Sequence, residues 1–230
     1  MVRFIGTAFA AVTVLALMSE ANLYGQAAAV RKSSNNLKQL ALGMMNYADV
    51  NRGQMPPATV YSKDGKALYS WRVLILPYIE EQNLYKQFKL DEPWDSANNK
   101  PLLEKMPKLF APVAGETKEK HATYYQVVIG KGAAFEDKQA MRFPASFTDG
   151  TSNTILIVEA GEAVPWTKPA DVTYDPDKPL PKFGGLFKEG FNAVFADGAV
   201  RFIGKDADKD TLRAAITRAG GEVIDFKKLK

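Results

Sequence analysis

The 230-residue chain has no cysteine and only one histidine, His121, and each absence removes a class of chemistry. Without cysteine there is no disulfide framework, no thiolate nucleophile and no cysteine-bound metal, so the folded part must stand on its core alone. With one histidine a His-pair metal site is excluded. A histidine-based triad would depend on a residue set between Lys120 and Ala122, which reads as an exposed loop position. A strong charge bias is also missing. Thirty Lys and Arg against 26 Asp and Glu leave a dispersed net charge of +4. A nucleic-acid surface needs clustered basic residues, and the one local cluster, Lys227-Lys228-Leu229-Lys230, sits at a terminus, so no nucleic-acid partner is expected. Long apolar runs are absent after Met18, and no repeat of solenoid or propeller period occurs.

What is present begins with a three-part N-terminus. Met1–Arg3 is short and positive, Phe4–Met18 is an uncharged apolar run, and Ser19–Ala29 is polar and ends in small residues, the layout of a secretory signal peptide. Cleavage is expected between Ala27 and Val30. An uncleaved anchor helix is the alternative, but the fifteen-residue run spans only about 22 Å of a roughly 30 Å hydrocarbon layer. Residues 1–29 are therefore read as a signal peptide and residues 30–230 as one domain, with membrane contact only through the signal segment if it is uncleaved.

Ser33–Val50 carries the clearest periodicity. Leu37, Leu40, Ala41, Met44, Tyr47 and Ala48 recur at spacings of three and four, while Asn36, Lys38, Gln39, Asn46 and Asp49 take the other side. This predicts a helix packed on a sheet, capped at its start by Ser33, Ser34 or Asn35 and stopped by Asn51–Gly53 and Pro56-Pro57. A strand is expected at Ala58–Tyr61. Ser70 then caps a helical stretch that Pro77 kinks or divides, with Trp71, Leu74, Ile75, Tyr78 and Ile79 on one side, and a short helix follows near Asn98–Lys105.

From Met106 onward, short apolar runs between turns replace helical periodicity. Tyr124–Ile129, Thr154–Val158, Asn192–Ala196 and Ala199–Ile203 read as strands. The last two flank Asp197-Gly198, which predicts a hairpin with a type I′ turn that brings Val194 and Ala196 against Val200 and Phe202. Asp149-Gly150 is a second Asp-Gly turn. Ala163–Leu186 is a long proline-rich excursion of the kind that carries function or lies flat on a domain. The chain closes with Asp210 as a cap, a helix through Arg218, a Gly220-Gly221 stop and a final strand at Glu222–Phe226.

Four segments in order, SSNNLKQLALGMMNY, SWRVLILPYIEEQNLY, FTDGTSNTILIVEAGEAVPW and GGLFKEGFNAVFADGAVRFI, resemble the secreted bacterial family called domain of unknown function 1559. The resemblance implies an α+β fold of pilin or pseudopilin type, with an N-terminal helix on an antiparallel sheet, short extra helices and the long proline-rich loop. It also implies export, and no established enzymatic activity. Members carry a C-terminal signature, H-X9-DG. Here the Asp197-Gly198 pair is present, but the histidine position is Phe187. The prepilin leader of typical members is replaced by an ordinary-looking signal peptide. The paired cysteines of many members correspond to about Ser33 or Ser34 and to Ala111, a joint loss that would be expected if they form a disulfide.

The candidate sites are few. Glu159 and Glu162, beside Trp166 and Lys168, form the one grouping that suggests a surface or ligand contact, since paired carboxylates with an aromatic platform serve glycoside chemistry. Asp149, Gly150, Asp197 and Gly198 read as structural turns. Asp206, Asp208 and Asp210 alternate like the start of a calcium loop, but Thr211 and Thr217 occupy the positions that need Gly and Glu, so helix capping is the reading. No metal or cofactor is expected. The function expected is non-catalytic: an exported envelope or extracellular protein that contacts another protein or a surface polysaccharide through its long loop. The competing expectation is a hydrolase using Glu159 or Glu162 with Asp197, or a carbohydrate-binding module built on Trp166.

Overall fold

The computed structural model describes residues 5–230, with side chains from Tyr24 onward. The positive end Met1–Arg3 and the side chains of the apolar run Phe4–Met18 lie outside the described residues. One helix, α1, runs Ile5–Val50 without a break. The expected cap at Ser33–Asn35 is therefore overturned: those residues are helix interior, and so is the expected cleavage region Ala27–Val30. Among the described residues no helix is long and apolar enough to cross a membrane.

The stripe on α1 is where periodicity places it. Leu37, Leu40, Ala41, Met44 and Ala48 are fully buried. Asn36 corrects the polar face, because it is buried too, for a reason given below. Arg52 and Gly53 both take positive φ and end the helix, with the Gly53 N–H returning to the Ala48 carbonyl at 2.8 Å. Gly43 lies against Ile79 and Ile75 so closely that an added Cβ would stand 2.8 Å from the Ile79 Cγ2, which lets the Leu76–Tyr78 turn pack on the helix.

A small antiparallel pair, β1 (Thr59–Tyr61) and β2 (Ala67–Ser70), leads into α2 (Trp71–Leu74). Ser70 caps α2 by accepting from the Arg72 N–H. Pro77 divides the helical stretch as expected, leaving a 3-10 turn at Leu76–Tyr78 and then α3 (Gln82–Tyr85). The helix foreseen near Asn98–Lys105 is a 3-10 segment, Lys100–Lys105.

The main sheet is antiparallel and four-stranded, in the order β3 (Ala122–Gln126), β5 (Ile155–Pro165), β7 (Gly190–Phe195), β8 (Val200–Gly204). Its two faces hold two cores. Leu156, Ile157, Val194 and Ala196 face the α1 side, whereas Val158, Ala193, Phe195 and Ile203 face α4 (Lys209–Ile216) and the C-terminal segment. Every residue of β7 is buried, which explains its nearly continuous apolar run. The fold is α+β, an N-terminal helix on antiparallel sheet with short extra helices.

Several local expectations are corrected. The Asp197-Gly198 hairpin forms with Val194 opposite Val200, but Phe202 faces Asn192, not Ala196. Only Gly198 has positive φ, and the Phe195 N–H bonds the Ala199 carbonyl at 2.9 Å across a three-residue loop, so a type I turn with a following glycine replaces type I′. The Ala163–Leu186 excursion is no free loop. Its start continues β5, and its middle forms β6 (Val172–Tyr174), which pairs in parallel with β4 (Val128–Gly130). Asp208, not Asp210, caps α4, which ends at Ile216. Glu222–Phe226 forms no strand. A 3-10 turn at Phe226–Leu229 closes the chain because the Phe226 ring packs edge-on against Phe195.

Candidate functional site

Glu159, the carboxylate expected at the surface, is fully buried in the middle of β5, facing α1. Its Oε2 accepts from the Asn192 backbone N–H at 2.6 Å, and its Oε1 accepts from Asn192 Nδ2 at 3.1 Å and from the Ser33 hydroxyl. The Ser33 Oγ also lies 2.9 Å from the Tyr125 hydroxyl, to which Asn36 Nδ2 donates at 3.3 Å. Asn192 Nδ2 reaches the Val30 carbonyl at 3.3 Å. Three elements, α1, β5 and β7, therefore meet at one carboxylate. These bonds are what let two polar side chains lie inward: Ser33, four residues before Leu37 on the buried stripe, and Asn36, from the face expected to be polar.

No cation pairs with Glu159 among the described residues. Burial pushes its carboxyl above the usual carboxylate range, opposed by the bonds from Ser33 and Asn192. Burial likewise pushes the Tyr125 hydroxyl up to about 12.

A second buried polar cluster lies nearby. Arg72, with no exposure, donates through Nη2 to Asp171 Oδ1 at 2.7 Å, through Nη1 to Ser70 Oγ at 2.6 Å and through Nε to the Tyr125 carbonyl at 3.0 Å. Asp171 Oδ1 also accepts from Trp71 Nε1 at 3.1 Å and from the Val127 N–H at 3.0 Å. Burial lowers the Arg72 guanidinium and raises the Asp171 carboxyl from their ordinary values, and their attraction opposes both shifts.

The expected Glu159, Glu162, Trp166 and Lys168 grouping does not assemble. Glu162 is exposed while Glu159 is interior, and the register of β5 against β3 shifts after Glu159. Trp166 is fully buried, stacked on Phe110 with centroids 5.6 Å apart, and its indole N–H donates to the Leu103 carbonyl at 3.1 Å. The indole therefore offers no face to a sugar. Lys168 is exposed over the Trp94 ring at 5.8 Å. Asp197 caps its own turn by accepting from the Ala199 N–H at 2.9 Å. Asp149 holds the Gly220 and Gly221 N–H groups at 2.7 and 2.9 Å, beside Gly150 with φ of +98°. Both Asp-Gly pairs are structural turns. Asp208 Oδ1 accepts from the Thr211 N–H at 2.9 Å, the capping role read from the alternating aspartates. His121 is a half-buried turn residue whose carbonyl accepts from the Trp166 N–H. Among the described residues no group of three or more His, Cys, Asp or Glu could hold a metal.

Sequence reasoning missed Arg72, Asp171, Ser33 and Asn192. Arg72 had a usable signal, a lone charge inside the apolar run WRVLIL, which needs a buried partner. Asp171 had none, because its proline-rich neighbourhood reads as surface.

A helix and antiparallel sheet clasped by a buried carboxylate define an α+β scaffold. Residues 26–111 match the family described as Protein of unknown function (DUF1559), and the match supports the family that the four sequence segments resemble. No curated protein and no solved structure matches the chain.

Proposed function

We propose that this is a non-catalytic, exported protein of the bacterial envelope or exterior, pseudopilin-like in plan, acting through contacts with another protein or a surface polysaccharide. The observation that carries this reading is the fate of Glu159: the best candidate for acid–base chemistry is sealed from solvent, with its oxygens occupied by Ser33 and Asn192. A second support is the division of α1. Side chains from Ser33 onward supply its buried stripe, while Tyr24, Gly25, Ala27, Ala28, Arg31 and Lys32 are exposed. Among the described side chains the helix docks from Ser33 onward, as the globular part of a pilin-type helix does, and exposed Ala27 and Ala28 suit the small-residue requirement of signal cleavage.

The test is fractionation of cells producing the full chain, with mass spectrometry of the N-terminus. The expected result is protein in the envelope or medium, beginning between Ala27 and Val30. Intact protein confined to the cytosol would overturn the proposal.

A further inference from the structure

We propose that the outer edge of β8 is a docking site for an extended acidic peptide strand, which rests on the contact role above and names its surface. β8 is the last strand of the main sheet. The Phe195 N–H bonds the Ala199 carbonyl, and the Lys205 N–H bonds the Glu189 carbonyl at 3.0 Å. With the observed register, residues 199, 201, 203 and 205 turn their backbone groups toward β7, so Val200 and Phe202 turn theirs outward. Among the described residues the Phe202 N–H and carbonyl have no partner. No proline or bulge interrupts β8, and its one inward-turned charge is Arg201.

Beside the edge lies a groove of about 600 Å³, lined by Arg201, Phe202, Phe226, Leu229 and Lys230. Phe202 remains 39% exposed there. Arg201 supplies the chemical preference. Its guanidinium is sandwiched between Phe195 and Phe226, at 4.5 and 4.0 Å from the ring centroids, and its Nη1 is out of contact with solvent and without a hydrogen-bond partner. A buried guanidinium N–H left unpaired is costly, and a carboxylate is its natural complement. Glu189, the groove's one acidic side chain, is already paired with Lys205 at 2.9 Å. An open strand edge asks for extended backbone, the groove asks for an apolar side chain, and Arg201 asks for a carboxylate. An acidic peptide adding a strand meets all three. A second copy of this chain fits less well, since it would bring the same basic residues to the edge.

The test uses the full chain and the synthetic peptide Ac-Glu-Val-Glu-Val-Glu-Val-NH2, followed by fluorescence polarisation. Its lysine counterpart and an N-methylated version that lacks the strand donors serve as controls. Binding of the acidic peptide alone is expected, with affinity falling about ten-fold or more in Arg201→Gln. Phe202→Pro, a change at an exposed edge, should abolish binding without unfolding the protein, as circular dichroism would verify. Equal binding of the lysine or N-methylated peptide, or no binding of the acidic one, would overturn the proposal. So would a dimer that Phe202→Pro disrupts and the peptide does not. Failure here leaves cellular location unaffected, and a cytosolic location leaves this binding unaffected, so the two readings fail separately.

Discussion

Glu159 and Asp171 are both carboxylates sealed from water, yet the fold holds them in opposite ways. Asp171 faces a guanidinium, and its cluster ties the start of α2 to the β4–β6 side of the molecule. Glu159 faces only neutral donors, from α1 and β7. The difference teaches where charge is indispensable. Removing either member of the Arg72–Asp171 pair strands the other in the interior, whereas a neutral side chain of the same shape at residue 159 still keeps bonding capacity for Ser33 and Asn192.

The largest effect that would sharpen this contrast is expected from Arg72→Met. Left without its cation, Asp171 should cost about 3–5 kcal/mol of stability, read by urea unfolding. A smaller loss than that of Ser33→Ala would break the comparison. Leu40→Ala, which empties a fully buried position on α1, should cost about 3 kcal/mol, and the loss should appear as earlier hydrogen exchange along α1. Ser33→Ala removes one donor from Glu159 and should cost about 1–2 kcal/mol, because the Asn192 bonds remain. Glu162→Gln should fall within about 0.5 kcal/mol of the parent, since the side chain is exposed and away from the clasp. A large loss at Glu162 would mean that the two glutamates do not differ in the way described.

Much of the fold was legible because periodicity and turn chemistry act locally. The α1 stripe, the Ser70 cap, the division at Pro77 and the Asp197-Gly198 hairpin depend on residues close together in sequence, and each appears where those residues place it. The polar interior was illegible for the opposite reason. Ser33 meets Glu159 across 126 residues and Arg72 meets Asp171 across 99, and nothing near Ser33 distinguishes a clasping hydroxyl from a capping one. The same blindness moved Trp166 from an imagined surface platform into the core. Proline richness announces an irregular path, but it does not say which side chains along the path point inward. The edge of β8 was visible as a strand, while its place as the outermost one became visible only with the sheet order.

The most direct test of the clasp compares urea unfolding of the parent and Glu159→Gln from pH 4 to pH 8. A carboxyl held above its ordinary value favours the folded state while protonated, and that advantage is lost as pH rises through the folded value. The parent should therefore lose stability relative to Glu159→Gln as the pH climbs. A gap that stays constant, or that widens in the parent's favour at high pH, would contradict a buried carboxylate held by neutral donors alone.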